Sequence, residues 1–124
     1  MGLDDDCDRL FAEFDRAYRS GHAEHAAALV THDAIISPID LPDIAGRDTI
    51  ETVLKQFFAS AQVHEYRLTA REIEIAHVRG VFTWRCTMSD GRAMNSDGRY
   101  AAVLHHTDRG WRLHRLIENR LPPP

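Results

Sequence analysis

Only two cysteines occur, Cys7 and Cys86. They lie far apart and match neither a CxxC pair nor a zinc-ligand spacing, so they are expected to be buried thiols rather than a disulfide framework or a metal cluster. No basic segment leads into an apolar run near the start, and no apolar stretch approaches the roughly 18 residues that a membrane-spanning helix needs. The expectation is a cytoplasmic protein without a membrane partner. Excess charge is missing too: 15 basic and 19 acidic residues leave −4. That balance provides neither the basic stripe of a nucleic-acid binder nor the repulsion that keeps a chain disordered. Histidine is not scarce, at eight, but its placement excludes a metal. His22 and His25 sit three apart on a short helix, His105 and His106 point to opposite sides of a strand, and His77 falls in a turn. No HExxH and no His-His-carboxylate set is formed, so neither metal nor cofactor is expected.

What is present fits a single domain over residues 1–124. A chain of that length buries roughly 65% of its unfolded surface and needs no staple. Asp4, Asp5, Asp6 and Asp8 favour a helix N-terminus by capping and by the helix dipole. Leu3, Cys7, Leu10, Phe11, Phe14, Ala17 and Tyr18 then recur at steps of three and four, one face of a helix that Gly21 ends. A shorter alanine-rich helix follows over residues 22–30. Residues 34–38 read as a strand that Pro38 ends or holds to an edge, and residues 39–46 as a loop. A third helix spans residues 47–61, with Ile50, Val53, Leu54, Phe57 and Phe58 on its apolar face.

The remainder reads as sheet. Strands over residues 63–76 and 81–88 flank a turn at 77–80, with Ile75 facing Phe82, Ile73 facing Trp84 and Glu72 facing Arg85. Apolar parity flips before Ala70, which predicts a β-bulge there and a bent strand. Residues 89–97 form a polar loop. The last hairpin pairs His106 with Trp111, Leu104 with Leu113, Tyr100 with Ile117 and Arg99 with Glu118. That register leaves Ala101, Val103 and Leu116 on an outer face that asks for a cover, and a homodimer through the sheet supplies one. Residues 121–124, Leu-Pro-Pro-Pro, cannot join a ladder and form an exposed extension.

Helices followed by an antiparallel sheet make the fold α+β. Phe14, Tyr18 and Gly21, the run Thr31-His32-Asp33-Ala34, the run Gly46-Arg47-Asp48-Thr49-Ile50, Tyr100, and the run Asp108-Arg109-Gly110-Trp111-Arg112-Leu113 resemble the nuclear transport factor 2-like superfamily. Its small bacterial SnoaL-like and ketosteroid-isomerase-like members are the nearest match. The resemblance covers nearly the whole chain and implies a cystatin-like, cone-shaped barrel: a strongly curved antiparallel or mixed sheet, closed at one end by three helices, with an apolar cavity that takes a small hydrophobic molecule. It is not specific for function, because the superfamily hosts isomerases, cyclases, dehydratases, hydrolases and non-catalytic binders.

Ketosteroid isomerases use an acidic base beside a proline after the first strand, a helix-one tyrosine, and a protonated acid on the sheet. Tyr18 matches the tyrosine. The strand here ends Ile36-Ser37-Pro38, so Asp40 comes two or three positions late. No acid stands among Trp84, Cys86 and Met88, the inward positions where the sheet acid belongs. Asp33, between helix and strand, suits a turn or capping role. Arg115 shares the parity of Leu113 and Ile117; if inward, it pairs with a carboxylate such as Asp40 or holds an acidic ligand. The candidate catalytic residues are thus Tyr18 and Asp40, and the candidate ligand-binding residues Phe14, Tyr18, Ser37, Phe57, Trp84, Met88, Arg115 and Asn119. Three functions remain open: an isomerase-, cyclase- or hydrolase-like enzyme using acid/base chemistry, a non-catalytic ligand-binding module, and a dimerisation module.

Overall fold

The computed structural model describes residues 2–74 and 77–120. Ile75 and Ala76, the end of the expected strand over residues 63–76 and with them the expected pair Ile75–Phe82, lie outside the described residues, as does the expected extension at 121–124. Helices α1 (Leu3–Ser20) and α2 (Ala23–Ala28) come first, then β1 (Val30–Ser37) and the short β2 (Ile44–Ala45), then helix α3 (Arg47–Ser60). Strands β3 (Ala61–Glu74), β4 (His77–Met88), β5 (Ala93–Thr107) and β6 (Gly110–Arg120) follow. All join one six-stranded sheet in the order β2-β1-β6-β5-β4-β3. β1 runs parallel to β6, and every other neighbour is antiparallel. After β1 the chain therefore crosses through α3 to the far edge and returns strand by strand to β6, which leaves the helices over one face of the sheet.

The helical periodicity of α1 puts Cys7, Leu10, Phe11, Phe14 and Ala17 in the core. Its end is closed at Gly21, in the left-handed conformation at φ 69°, while His22 N–H donates to the Ala17 carbonyl at 3.0 Å. The start lacks a side-chain cap, and Gly2 is the N-cap. Within the acidic run, Asp6 pairs with Arg9 at 2.8 Å. α3 is tied down by its first residue, whose guanidinium donates twice to the Val30 carbonyl, at 2.7 and 3.2 Å.

Bulges and close approaches bend the sheet. β3 slips against β4 between Ala70 and Glu72, where the flip in parity placed a bulge, and again between Val63 and Glu65. Gly80 and Gly98 stand where strands crowd: a Cβ on Gly80 would lie 1.8 Å from the Thr69 carbonyl oxygen, and one on Gly98 2.2 Å from that of Asn119. Only glycine lets the backbones approach so closely. The architecture is a curved, cone-like α+β fold whose sheet remains open.

Several elements depart from the sequence reading. α2 stops at Ala28, and Val30 opens β1 four residues early because it pairs with Leu113 across the parallel ladder. The segment read as a loop contains β2, which pairs Ile44 with Ile36. β4 starts at His77 rather than Val81, so Phe82 faces Leu68, Trp84 faces Tyr66, Arg85 faces Glu65 and Ile73 faces Val78. Gly80 is thus a site of close approach and not a turn residue. The polar loop shrinks to residues 89–92, since β5 begins at Ala93.

The last hairpin holds its expected register only near the turn. His106 pairs with Trp111 and Leu104 with Leu113, but Val103 then faces Arg115, leaving His114 as an extra residue on β6. This bulge is built: Thr31 Oγ1 lies 2.8 Å from His114 Nδ1, and the His114 ring stacks on His105 at 3.7 Å. Beyond it Tyr100 faces Glu118, Ala101 faces Ile117 and Arg99 faces Asn119. Leu116 is consequently buried rather than outward, while Ile117 is 47% exposed. Among the described residues no helix is long and apolar enough to cross a membrane.

Candidate functional site

A cavity of about 170 Å³ opens between the helices and the concave face of the sheet. α3 contributes Ile50, Val53, Leu54 and Phe57, the apolar stripe of its helical period, and β1 and β2 contribute Ile36 and Ile44. Tyr18 enters from α1, Tyr66 from β3, Trp84 from β4 and Glu118 from β6, with Pro38 and Leu41 at the rim. Leu41 is 65% exposed although it borders an apolar space, which places it at the mouth. Larger recesses elsewhere, such as the groove of about 760 Å³ beside α2, are open surface features with charged rims at Glu24 and Lys55.

The sequence reading of this cavity lacked its acid. Glu118 is inward because the His114 bulge shifts the alternation of β6 by one, and its Oε2 accepts a hydrogen bond from the Tyr66 hydroxyl at 3.1 Å. Burial raises the Glu118 carboxyl from an ordinary 4.5 to about 7, a rise that the Tyr66 hydrogen bond partly offsets. No basic side chain among the described residues pairs with it.

Tyr66 is itself held from two sides. Its backbone N–H donates to Asp15 Oδ1 of α1 at 2.9 Å, just past the bulge at His64, and its ring lies 4.5 Å from that of Tyr18. Burial, then the neighbouring Glu118 charge, push the hydroxyls of both Tyr18 and Tyr66 above the usual tyrosine range, so both remain protonated donors. Among the described residues the Tyr100 hydroxyl is the one fully buried side-chain polar atom that lacks a partner. The Tyr18 hydroxyl and Glu118 Oε1, which have no protein hydrogen bond either, therefore border the cavity space rather than sealed core.

The structure distributes the residues singled out from sequence unevenly. Tyr18, Phe57 and Trp84 line the cavity. Phe14 is buried behind Tyr18, ring centroids 6.5 Å apart. Ser37 ends β1 opposite Ile117, and Met88 packs at the edge of the core, both outside the lining. Asp40 is displaced from the cavity: it sits in a left-handed turn at φ 59° and pairs on the surface with Arg120. Arg115 is a second correction, since the bulge turns it away and its guanidinium donates to the carbonyls of Asp33 and His114. Asn119 is exposed at the outer end of the same strand. Asp33 belongs to β1 rather than a turn and accepts from Thr31 Oγ1 at 3.2 Å. The spacing of Leu113 and Leu116 was the available signal: two buried leucines three apart cannot both face inward on a regular strand.

A curved mixed sheet wrapped over three helices, with a polar pair deep in an apolar cone, defines a nuclear transport factor 2-like domain of cystatin-like fold. Within that class the chain belongs to the SnoaL-like domain family, which matches residues 8–116. Solved structures agree on the fold. A protein from Novosphingobium aromaticivorans named as a candidate aromatic ring hydroxylase superposes with a TM-score of 0.79 at 22% identity, over 99% of this chain and 93% of its own. A ketosteroid isomerase-like protein from Erwinia carotovora atroseptica gives 0.71 at 16% identity, over 93% of both chains. A nuclear transport factor 2-like protein with a cystatin-like fold, also from Novosphingobium aromaticivorans, gives 0.74 at 17% identity, over 98% of this chain and 83% of its own. No curated protein matches the sequence.

Proposed function

We propose that the chain binds a small, largely apolar molecule in the cone cavity and exchanges a proton with it through Glu118. One observation carries this reading: a carboxyl group, pushed up to about 7 by burial, borders a mostly apolar void alongside the Tyr18 hydroxyl. A carboxyl so placed can accept or give a proton at neutral pH, the requirement for general acid/base chemistry. Tyr18 supplies a hydrogen bond to charge that develops on the ligand. Asp40, the other catalytic candidate, is outside the cavity and takes no part. Similar folds carry names of the hydroxylase and isomerase kind, which is compatible with acid/base catalysis on a small molecule.

Size narrows the ligand. A cavity of about 150 Å³ accommodates one benzene ring, so the void here, about 170 Å³, suits a ring-sized ligand rather than a steroid. The test is calorimetry of ring-sized compounds in buffers of different ionisation enthalpy, which reports protons taken up or released on binding. Binding with proton exchange that disappears in Glu118→Gln supports the reading; binding without proton exchange leaves only a passive pocket, and no binding removes the proposal.

A second reading concerns assembly. Ile117 is 47% exposed and stands directly across from exposed Ala101 on the outer face. We infer that this face carries a homodimer through the sheet. Light scattering that gives a monomer, unchanged by Ile117→Arg, would end that reading.

A further inference from the structure

We propose that the molecule held in the cone is a cation, a protonated amine on a ring-sized apolar body, with its ammonium seated between Glu118 and the cavity's aromatic rings. The proposal rests on the cavity being a ligand site, as argued above, and names the charge of its occupant.

Buried carboxyls are ordinarily matched by a basic side chain or a full set of donors. Glu118 has neither: its one hydrogen bond comes from Tyr66. The arginines nearest in sequence are engaged elsewhere, Arg115 with backbone carbonyls of Asp33 and His114, and Arg120 with Asp40 on the surface. The titratable groups facing it are Tyr18 from α1, Tyr66 from β3 and Tyr100 from β5, all neutral donors or acceptors. β1, β2, β4 and α3 present only apolar or aromatic side chains to the cavity. The chain therefore leaves a negative site uncompensated.

Each charge class of ligand meets that site differently. An anion would be repelled by ionised Glu118. A neutral ligand leaves the carboxylate uncompensated or forces it to stay protonated. A cation alone turns the burial penalty into an ion pair, and Glu118 Oε1 and the Tyr18 oxygen are open to receive ammonium hydrogens. Tyr18 and Tyr66 tilt by 54°, and Phe57 and Trp84 by 64°, so each pair forms a corner rather than a stack. Aromatic walls of this kind attract cations through the ring quadrupole, more strongly once water is excluded. The aliphatic end, with Ile36, Ile44 and Leu54, takes the apolar body.

Three probes of one shape separate the classes: benzylamine, benzyl alcohol and benzoate, measured by calorimetry and thermal shift on the full chain. At pH 8 benzylamine is expected to bind at least tenfold more tightly than benzyl alcohol, with benzoate weakest. Its advantage should shrink as pH falls from 8 to 5.5, because Glu118 takes up a proton that the amine must displace. Glu118→Gln should abolish the preference for benzylamine over benzyl alcohol at pH 8. Equal or weaker binding of benzylamine at pH 8, or a preference that persists at pH 5.5, overturns the inference. The pH series needs only the unaltered chain and decides the matter even if the variant does not fold. If benzyl alcohol binds and benzylamine gains nothing, the cation fails while the ligand site stands; if none of the three binds, both fail.

Discussion

Tyr66 of edge strand β3 and Glu118 of β6, three places along the sheet, meet inside the cone with hydroxyl and carboxylate 3.1 Å apart. Only strong curvature can bring β3 and β6 face to face in this way, with β4 and β5 lying between them. The pair thus reports both the shape of the sheet and the polarity of the site.

Removing the hydroxyl isolates its effect on the acid. The Tyr66 hydrogen bond holds the Glu118 carboxyl lower than burial alone would. In Tyr66→Phe the Glu118 pKa is expected to rise above that of the unaltered chain, read by NMR titration. A lowered or unchanged value would show that the hydrogen bond does not favour the carboxylate.

Stability should depend on pH through the same group. Its pKa is about 7 when folded against an ordinary 4.5, so the folded chain binds the proton more tightly than the unfolded one. The contribution of Glu118 is fully present below pH 4.5 and is lost as pH rises through 7. A difference of this size corresponds to about 3 kcal/mol at 1.36 kcal/mol per unit. Glu118→Gln should therefore match the unaltered chain near pH 4 and exceed its stability by up to about 3 kcal/mol at pH 8. Urea melts at both pH values check this; equal stability at pH 8 would contradict it.

Asp40 offers a control outside the cavity. It pairs with Arg120 where both side chains are about two-thirds exposed, at 69% and 67%, and such pairs contribute at most about 1 kcal/mol. Asp40→Asn should lower stability by no more than that and leave proton-linked ligand binding intact. A loss of binding in this variant would return Asp40 to the site.

Gly80 tests the curvature. A methyl group there would meet the Thr69 carbonyl at 1.8 Å, and backbone cannot yield cheaply. Gly80→Ala is expected to cost more than about 3 kcal/mol in a denaturant melt. A cost under about 1 kcal/mol would mean the strands are not so tightly apposed.

Much of this molecule was legible before any coordinates. The periodicity of α1 and α3, the bulge at Ala70 and the turn pairing His106 with Trp111 follow from local patterns that tertiary contacts do not override. The cavity's acid was not legible, for a reason confined to one residue. Counting alternately from Leu113 turns Arg115 and Ile117 inward and Glu118 outward. The inserted His114, held by Thr31 from a strand more than 80 residues earlier, reverses all three. Long-range contacts of this sort leave little trace in a single strand's alternation, apart from the three-residue step between Leu113 and Leu116. Gly80 misled similarly, because close approach and turning both ask for glycine.

The proton-exchanging cavity depends on the protonation of Glu118. Isotope-edited NMR of the glutamate carboxyl carbons, assigned by comparison with Glu118→Gln, follows its titration in the ligand-free chain. An inflection near pH 7 is the expected result. An inflection near the ordinary value of 4.5 would show a solvated acid, and with it the proton-exchanging cavity would be lost.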